Sequence, residues 1–199
     1  QEIIVPSSER HVVLGGSTAP VDGAAFGALS RPAIPRAKRT EIGKLLRERT
    51  PRSSLAEWAP PTDRADVLAQ LRTAHEGRVP ELVRVRLERM AASPYGYLRG
   101  AAGINAADFA TLPATGIQPV ICGDAHVGNF GFYASPERDL VFDLNDFDES
   151  HPGAWEWDLR RLVSSTWVAG REAGASEDDC QHAVYRCVHA YRRNLRRLA

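Results

Sequence analysis

The sequence predicts an α+β fold, mainly helical, with a small β hairpin carrying the loops of a polar site. Three observations predict it. Apolar residues recur at helical spacing through most of the chain after residue 35. The β-prone runs are short and few, and turn-rich polar motifs flank one of them. With 199 residues and 43% hydrophobic content, the chain can bury a core of its own.

Residues 1–35 are rich in Gly, Pro, Ser and Ala without periodicity and read as an extended, poorly ordered arm, leaving 36–199 as the domain. Residues 41–49 form a short basic helix, followed by a Pro-containing stretch over 51–61. Thr62 is placed to cap the next helix, which carries Val67, Leu68 and Leu71 and stops at Gly77. Pro80 suits the first position of a helix reaching about Ala92, with Leu82, Val83, Leu87 and Met90 on one face. The segment SPYGYLRG, 93–100, reads as a turn that breaks this helix and gathers Tyr95, Tyr97 and Arg99. A short helix over 106–112 precedes a β-prone run at 118–121, and 140–145 is a second strand. Asp158 opens a helix with Leu159, Leu162, Val163 and Trp167 on one face. Ser176, with Asp179 three residues on, caps a last helix with Cys180, Val184, Cys187, Tyr191, Leu195 and Leu198 at helical spacing.

The net charge of zero conceals opposed halves. Residues 100–158 hold ten acidic residues and one basic one, Arg138, whereas 31–99 hold fifteen basic and eight acidic. Carboxylates this dense must be solvated, protonated or neutralised, and hard oxygen donors suit magnesium, manganese or calcium. A neutral total argues against general nucleic-acid binding. Cys122, Cys180 and Cys187 lack the count and spacing of a disulfide scaffold or zinc site. No apolar run approaches the roughly 20 residues of a membrane span, and the N-terminus lacks a signal pattern. The expectation is a cytoplasmic protein with neither nucleic acid nor membrane as partner.

The chemistry concentrates in the run CGDAHVGNFGFYASPERDLVFDLNDFDES. Gly123 and Gly128 permit tight turns, so that Asp124, His126 and Asn129 can converge. A loop-tip Asp can accept or align a hydroxyl proton, and an Asn five residues on offers a neutral oxygen to a divalent ion. DLNDFDE then returns Asp143, Asp146 and Asp148 to the neighbourhood. In an extended run Asp146 and Asp148 share a face and Asp143 points the other way, which makes Asp146 with Asp148 the expected chelating pair. Upstream, Arg84, Arg86, Arg89 and Arg99 suit phosphate oxygens, although a solvated helix face is the simpler reading. Packing at the helix start is likewise the simpler reading of Trp155 and Trp157.

CGDAHVGN resembles the HGDxHxxN catalytic loop of the kinase-like superfamily that includes aminoglycoside and choline kinases, with Cys122 in place of the first His. FDLNDFDE resembles the metal-binding Asp at that family's later strand end, and WDLRRL its following Asp-led helix. The resemblance implies a partial protein-kinase-like, aminoglycoside phosphotransferase-like catalytic lobe. It implies Asp124 as catalytic base and His126 as a loop-ordering or substrate-proximal group. From the residues themselves, Arg99 of the SPYGYLRG segment is a candidate to clamp a ligand and, with Asn129, to contact cofactor, and Asn129, Asp146, Asp148 and Asp143 are the candidate metal ligands, among which the resemblance puts Asp146 foremost. Mg2+ or Mn2+ and ATP or another nucleoside triphosphate would be the cofactors, with a nucleotide and a small-molecule substrate as partners. The phrases RMAASPYGYLRGAA, CGDAHVGNFGFYASPERDLVFDLNDFDES and WEWDLRRLVSS more closely resemble the uncharacterised bacterial family domain of unknown function 2252.

The kinase analogy requires a Gly-rich loop and a phosphate-gripping Lys upstream of the catalytic loop. The only lysines are Lys38 and Lys44, in a helical stretch without strand pattern. The expectation is therefore an N-terminal fragment of a longer protein, with the nucleotide lobe past Ala199 and little turnover by the 199-residue chain alone. A metal-dependent phosphoesterase and a catalytically dead nucleotide- or partner-binding module are the alternatives.

Overall fold

The computed structural model describes residues 34–198, so the arm expected over 1–35 lies, but for its last two residues, outside the described residues. Helix α1 spans Arg36–Arg49, α2 Val67–Ala74, α3 Pro80–Ala92, α4 Pro94–Gly100 and α5 Ala102–Ala110. Strands β1 (Val120–Ile121), β2 (Phe130–Ala134), β3 (Leu140–Leu144) and β4 (His151–Pro152) follow, then the long helices α6 (Trp155–Glu172) and α7 (Glu177–Leu198). The chain is thus α+β and mainly helical. No helix among the described residues is long and apolar enough to cross a membrane.

Several boundaries differ from the sequence expectation for identifiable reasons. Asp66, not Thr62, caps α2, its carboxylate accepting from the Ala69 amide at 2.7 Å. Residues 93–100 form α4 and not a turn. Ser93 is extended and its hydroxyl accepts from Gly96 N at 3.0 Å, and Pro94 takes the first helical position, so a cap-and-proline start outweighs the two glycines that follow. Helix α6 begins at Trp155, which puts Asp158 inside its first turn instead of at its cap.

The strands form two antiparallel pairs. Val120 and Ile121 pair with Pro152 and His151, closing the chain around the intervening hairpin. In that hairpin β2 runs against β3 from Phe130–Leu144 at its base to Ala134–Leu140 at its tip. Its turn puts Arg138 in the left-handed region at φ 69°, with the Arg138 amide donating to Ser135 O at 2.8 Å.

Helix α6 is the hub, touching α4, α5, α7 and β1. The apolar core around it is thin: Met90, Ile104, Ile121, Cys122, Ala154 and Cys180 are among its buried members. The three cysteines are free. Along α7 only Cys180 is fully buried, Val184, Cys187 and Tyr191 are half-buried, and Leu195 and Leu198 are exposed. Tyr191 stacks on Trp155 with centroids 6.1 Å apart. The expected apolar face of α6 is only half-buried; its fully buried side chains are Glu156, Arg161 and Ser165.

Helices α3 and α4 meet at close range because Gly96 lets them. A Cβ there would lie 2.3 Å from the Arg89 carbonyl oxygen. Gly96→Ala should lower stability by about 1–3 kcal/mol through overpacking. Gly103→Ala on α5, where a Cβ meets nothing within 4 Å, should be neutral or stabilise by up to about 1 kcal/mol. Paired denaturant titrations check both.

Candidate functional site

After β1 the chain turns through residues 122–129 and ends in a 3-10 turn, Val127–Asn129, that leads directly into β2. Gly123 makes this loop possible. It sits at φ 82°, and a Cβ would fall 2.2 Å from Glu149 O, so the first loop rests on the backbone of the second.

One face of α6 holds the loop from behind. Asp158, Arg161 and Ser165 recur at helical spacing, and each takes a different part of it. The Cys122 amide donates to Asp158 Oδ2 at 2.7 Å and the Gly123 amide to Oδ1 at 3.0 Å. Val127 N donates to Ser165 Oγ at 2.8 Å. Arg161, only 1% exposed, donates from Nε to Asp124 Oδ1 at 2.7 Å, with Nη2 2.5 Å from the same oxygen. Its remaining donors reach Leu98 O at 2.7 Å and Asn105 Oδ1. A guanidinium this deep is tolerable only because its charge is paired and its N–H groups are satisfied.

Within the loop, Asn129 Nδ2 donates to Asp124 O at 2.9 Å. The Asn129 backbone carbonyl accepts from Asn145 N at 2.8 Å, which ties the loop to the end of β3. Cys122 Sγ lies 3.4 Å from Asp146 O, and burial pushes its thiol pKa up. His126 is 3% exposed, its Nδ1 is buried without a hydrogen-bond partner among the described residues, and Nε2 stands 3.7 Å from Asp124 Oδ2. Burial lowers its pKa, Asp124 opposes that, and Arg161 and Arg99 lower it further.

A cleft of about 510 Å³ collects these groups. Asp124, His126 and Asn129 line it from the first loop, and Asp146, Asp148 and Glu149 from the second. Arg78, Arg86, Arg89 and Arg99 line it as well. Asp143 stands outside, exposed opposite Gly131 in the hairpin, its carboxylate accepting from Leu144 N at 2.8 Å. Arg84 is also outside, paired with Glu88 at 3.2 Å on the exposed face of α3. Trp155 packs at the start of α6 and donates Nε1 to Thr115 Oγ1 at 3.0 Å, and neither it nor Trp157 reaches the cleft.

Asp146 Oδ1 accepts from Asp148 N at 3.2 Å, while its second oxygen and Asn129 Oδ1 accept no hydrogen bond among the described residues. No group of three or more His, Cys, Asp or Glu among the described residues is placed to hold a metal ion. A cation here would be shared between one or two carboxylates, Asn129 Oδ1 and oxygens of a ligand, which is how magnesium is ordinarily bound beside phosphates.

A family model described as an uncharacterized protein conserved in bacteria, DUF2252, matches residues 78–199. The chain belongs to this family. The DUF2252 match holds every residue that lines the cleft and the three α6 side chains that brace it. No curated protein and no solved structure matches the chain.

Arg161, Ser165 and Asn105 are site residues that the sequence reading missed. A lone signal existed: in WDLRRLVSS, Arg161 and Ser165 lie one and two turns beyond Asp158, on one helical stripe. Arg161→Met should destabilise by about 3–5 kcal/mol, since it strips a partly buried carboxylate of its partner; chemical denaturation reads this. His126 adds a pH dependence. With its folded pKa depressed, the unfolded chain takes up a proton that the folded chain refuses once pH falls through about 6.5, so stability declines on acidification. His126→Gln should flatten the stability profile between about pH 7 and 5, as followed by thermal melts.

Proposed function

We propose that the cleft is the site of a metal-assisted phosphotransferase on a kinase-like catalytic lobe, passing the terminal phosphoryl group of a nucleoside triphosphate to a hydroxyl. The observation that carries this reading is the lining of one cleft by Asp124, His126, Asn129, Asp146 and Asp148, with α6 bracing the loop that bears the first three.

Roles follow from which atoms are engaged. Asp124 Oδ1 is taken by Arg161, so Oδ2 is the oxygen left for an acceptor hydroxyl. Its part is to orient that hydroxyl more than to strip it, since a loose phosphoryl-transfer transition state depends on positioning. The hydroxyl proton passes to Oδ2 as the new oxygen–phosphorus bond forms and the bond to the departing nucleoside diphosphate breaks. Asn129 Oδ1 and the carboxylates of Asp146 and Asp148 would hold Mg2+ or Mn2+. When bound, that ion neutralises phosphate charge. His126, uncharged at neutral pH through burial, packs beside Asp124 and keeps the loop in shape.

The test is ATP turnover by the longest natural form of the protein, with a panel of hydroxyl acceptors. Asp124→Asn should lower kcat by about 100-fold or more. Asp146→Asn should raise the Mg2+ concentration for half-maximal rate by about tenfold or more, without a change in melting temperature, because Asp146 is exposed. Unaltered turnover in both variants sinks the reading. Hydrolysis of simple phosphoesters without ATP would point to a phosphoesterase, and nucleotide binding without turnover to a binding module.

A further inference from the structure

Four arginines line the same cleft as the acidic loops: Arg78, Arg86, Arg89 and Arg99. None of them is ion-paired with a carboxylate among the described residues, whereas Arg84, one helix face away, takes Glu88. Arg86 is held by Nη2 donating to Gly100 O at 2.9 Å, and its Nε is buried without an acceptor among the described residues. Arg78 is steadied by its Nε bond to Ala74 O at 2.9 Å. Arg99 stands close enough to His126 to depress its pKa. Although Asp124, Asp146, Asp148 and Glu149 line the same cleft, none of them lies within ion-pair distance of these four guanidinium groups, which leaves their N–H donors for a multiply charged oxyanion held by bidentate hydrogen bonds.

We infer that this arginine wall seats a phosphate-bearing small molecule, bound through its phosphate oxygens without need of a metal. Only the choice between a donor oligophosphate and a phosphorylated acceptor rests on the phosphotransfer reading; anion binding itself does not.

Calorimetric titration of the 199-residue chain in EDTA tests it, with inorganic tripolyphosphate as the donor-like probe and glycerol 3-phosphate as the acceptor-like one. At least one probe should bind. Arg89→Gln, at an exposed position whose loss leaves the fold intact, should weaken binding by about tenfold. Arg84→Gln, outside the cleft, should leave the affinity within about twofold of wild type. Preference for tripolyphosphate assigns the wall to the donor, preference for glycerol 3-phosphate to the acceptor. Failure of both probes to bind, or an equal loss in Arg84→Gln and Arg89→Gln, overturns the inference. Because metal is absent from this assay, an arginine-dependent anion site would stand even if Asp124 and Asp146 variants showed no effect on ATP turnover.

Discussion

The contact on which this molecule turns is the buried ion pair between Arg161 and Asp124. Arg161 is the largest of the fully buried side chains, in a domain whose apolar core is otherwise thin. Its fan of donors reaches Asp124, Leu98 and Asn105, so one side chain joins the first site loop to α4 and α5. A hydrophobic replacement could fill the space but could not choose the loop geometry. Removing either partner strands the other in a poorly solvated place, which is the case where a buried pair matters most. Asp158 and Ser165 extend the same logic above and below. The backbone amides of Cys122, Gly123 and Val127 find acceptors on one rigid helix and not on mobile neighbours. Asp124, His126 and Asn129 stay at the cleft because these acceptors satisfy the loop's buried polar groups.

Much of the architecture was legible in the sequence, and the limits are physical. Proline at the first position and Ser176 at the last cap mark helices through local chemistry, and both are where that chemistry puts them. The glycine-spaced motif exposed the first loop, since Gly123 and its positive φ are a local requirement, and the density of Asp exposed the second. Helix α4 was misjudged because Gly96 and Gly100 read as breakers, whereas they are the small surfaces against which Arg89 and Met90 pack. The inner face of α6 was misjudged for the opposite reason. Leu159, Leu162, Val163 and Trp167 satisfy an apolar period, yet the deepest positions are polar because their partners come from 37 and 38 residues away in the chain. Hydropathy carries no information about such a partner. Asp158 was legible as a helix-start residue, but its duty to another loop's amides was not.

The electrostatics of the cleft are equally non-local. The acidic run and the basic tract are separated in sequence, and folding brings members of both to one cavity. Residues of the same type are sorted by geometry: Arg86 and Arg89 face the cleft and Arg84 faces solvent. Asp146 and Asp148 face it and Asp143 does not. This sorting lets a chain of zero formal charge present a cleft strongly patterned in charge.

The β2–β3 hairpin offers one last consequence. Its base is pinned where Asn145 N meets Asn129 O, while Phe132, Phe142 and Leu140 toward the tip are exposed and its pairing partners are its own two strands. A two-stranded ribbon is marginal without support. Amide protection should therefore form a gradient along the ribbon, slow-exchanging beside Phe130 and Leu144 and fast near Ala134 and Leu140, so that the tip can open and close without disturbing the site at its root.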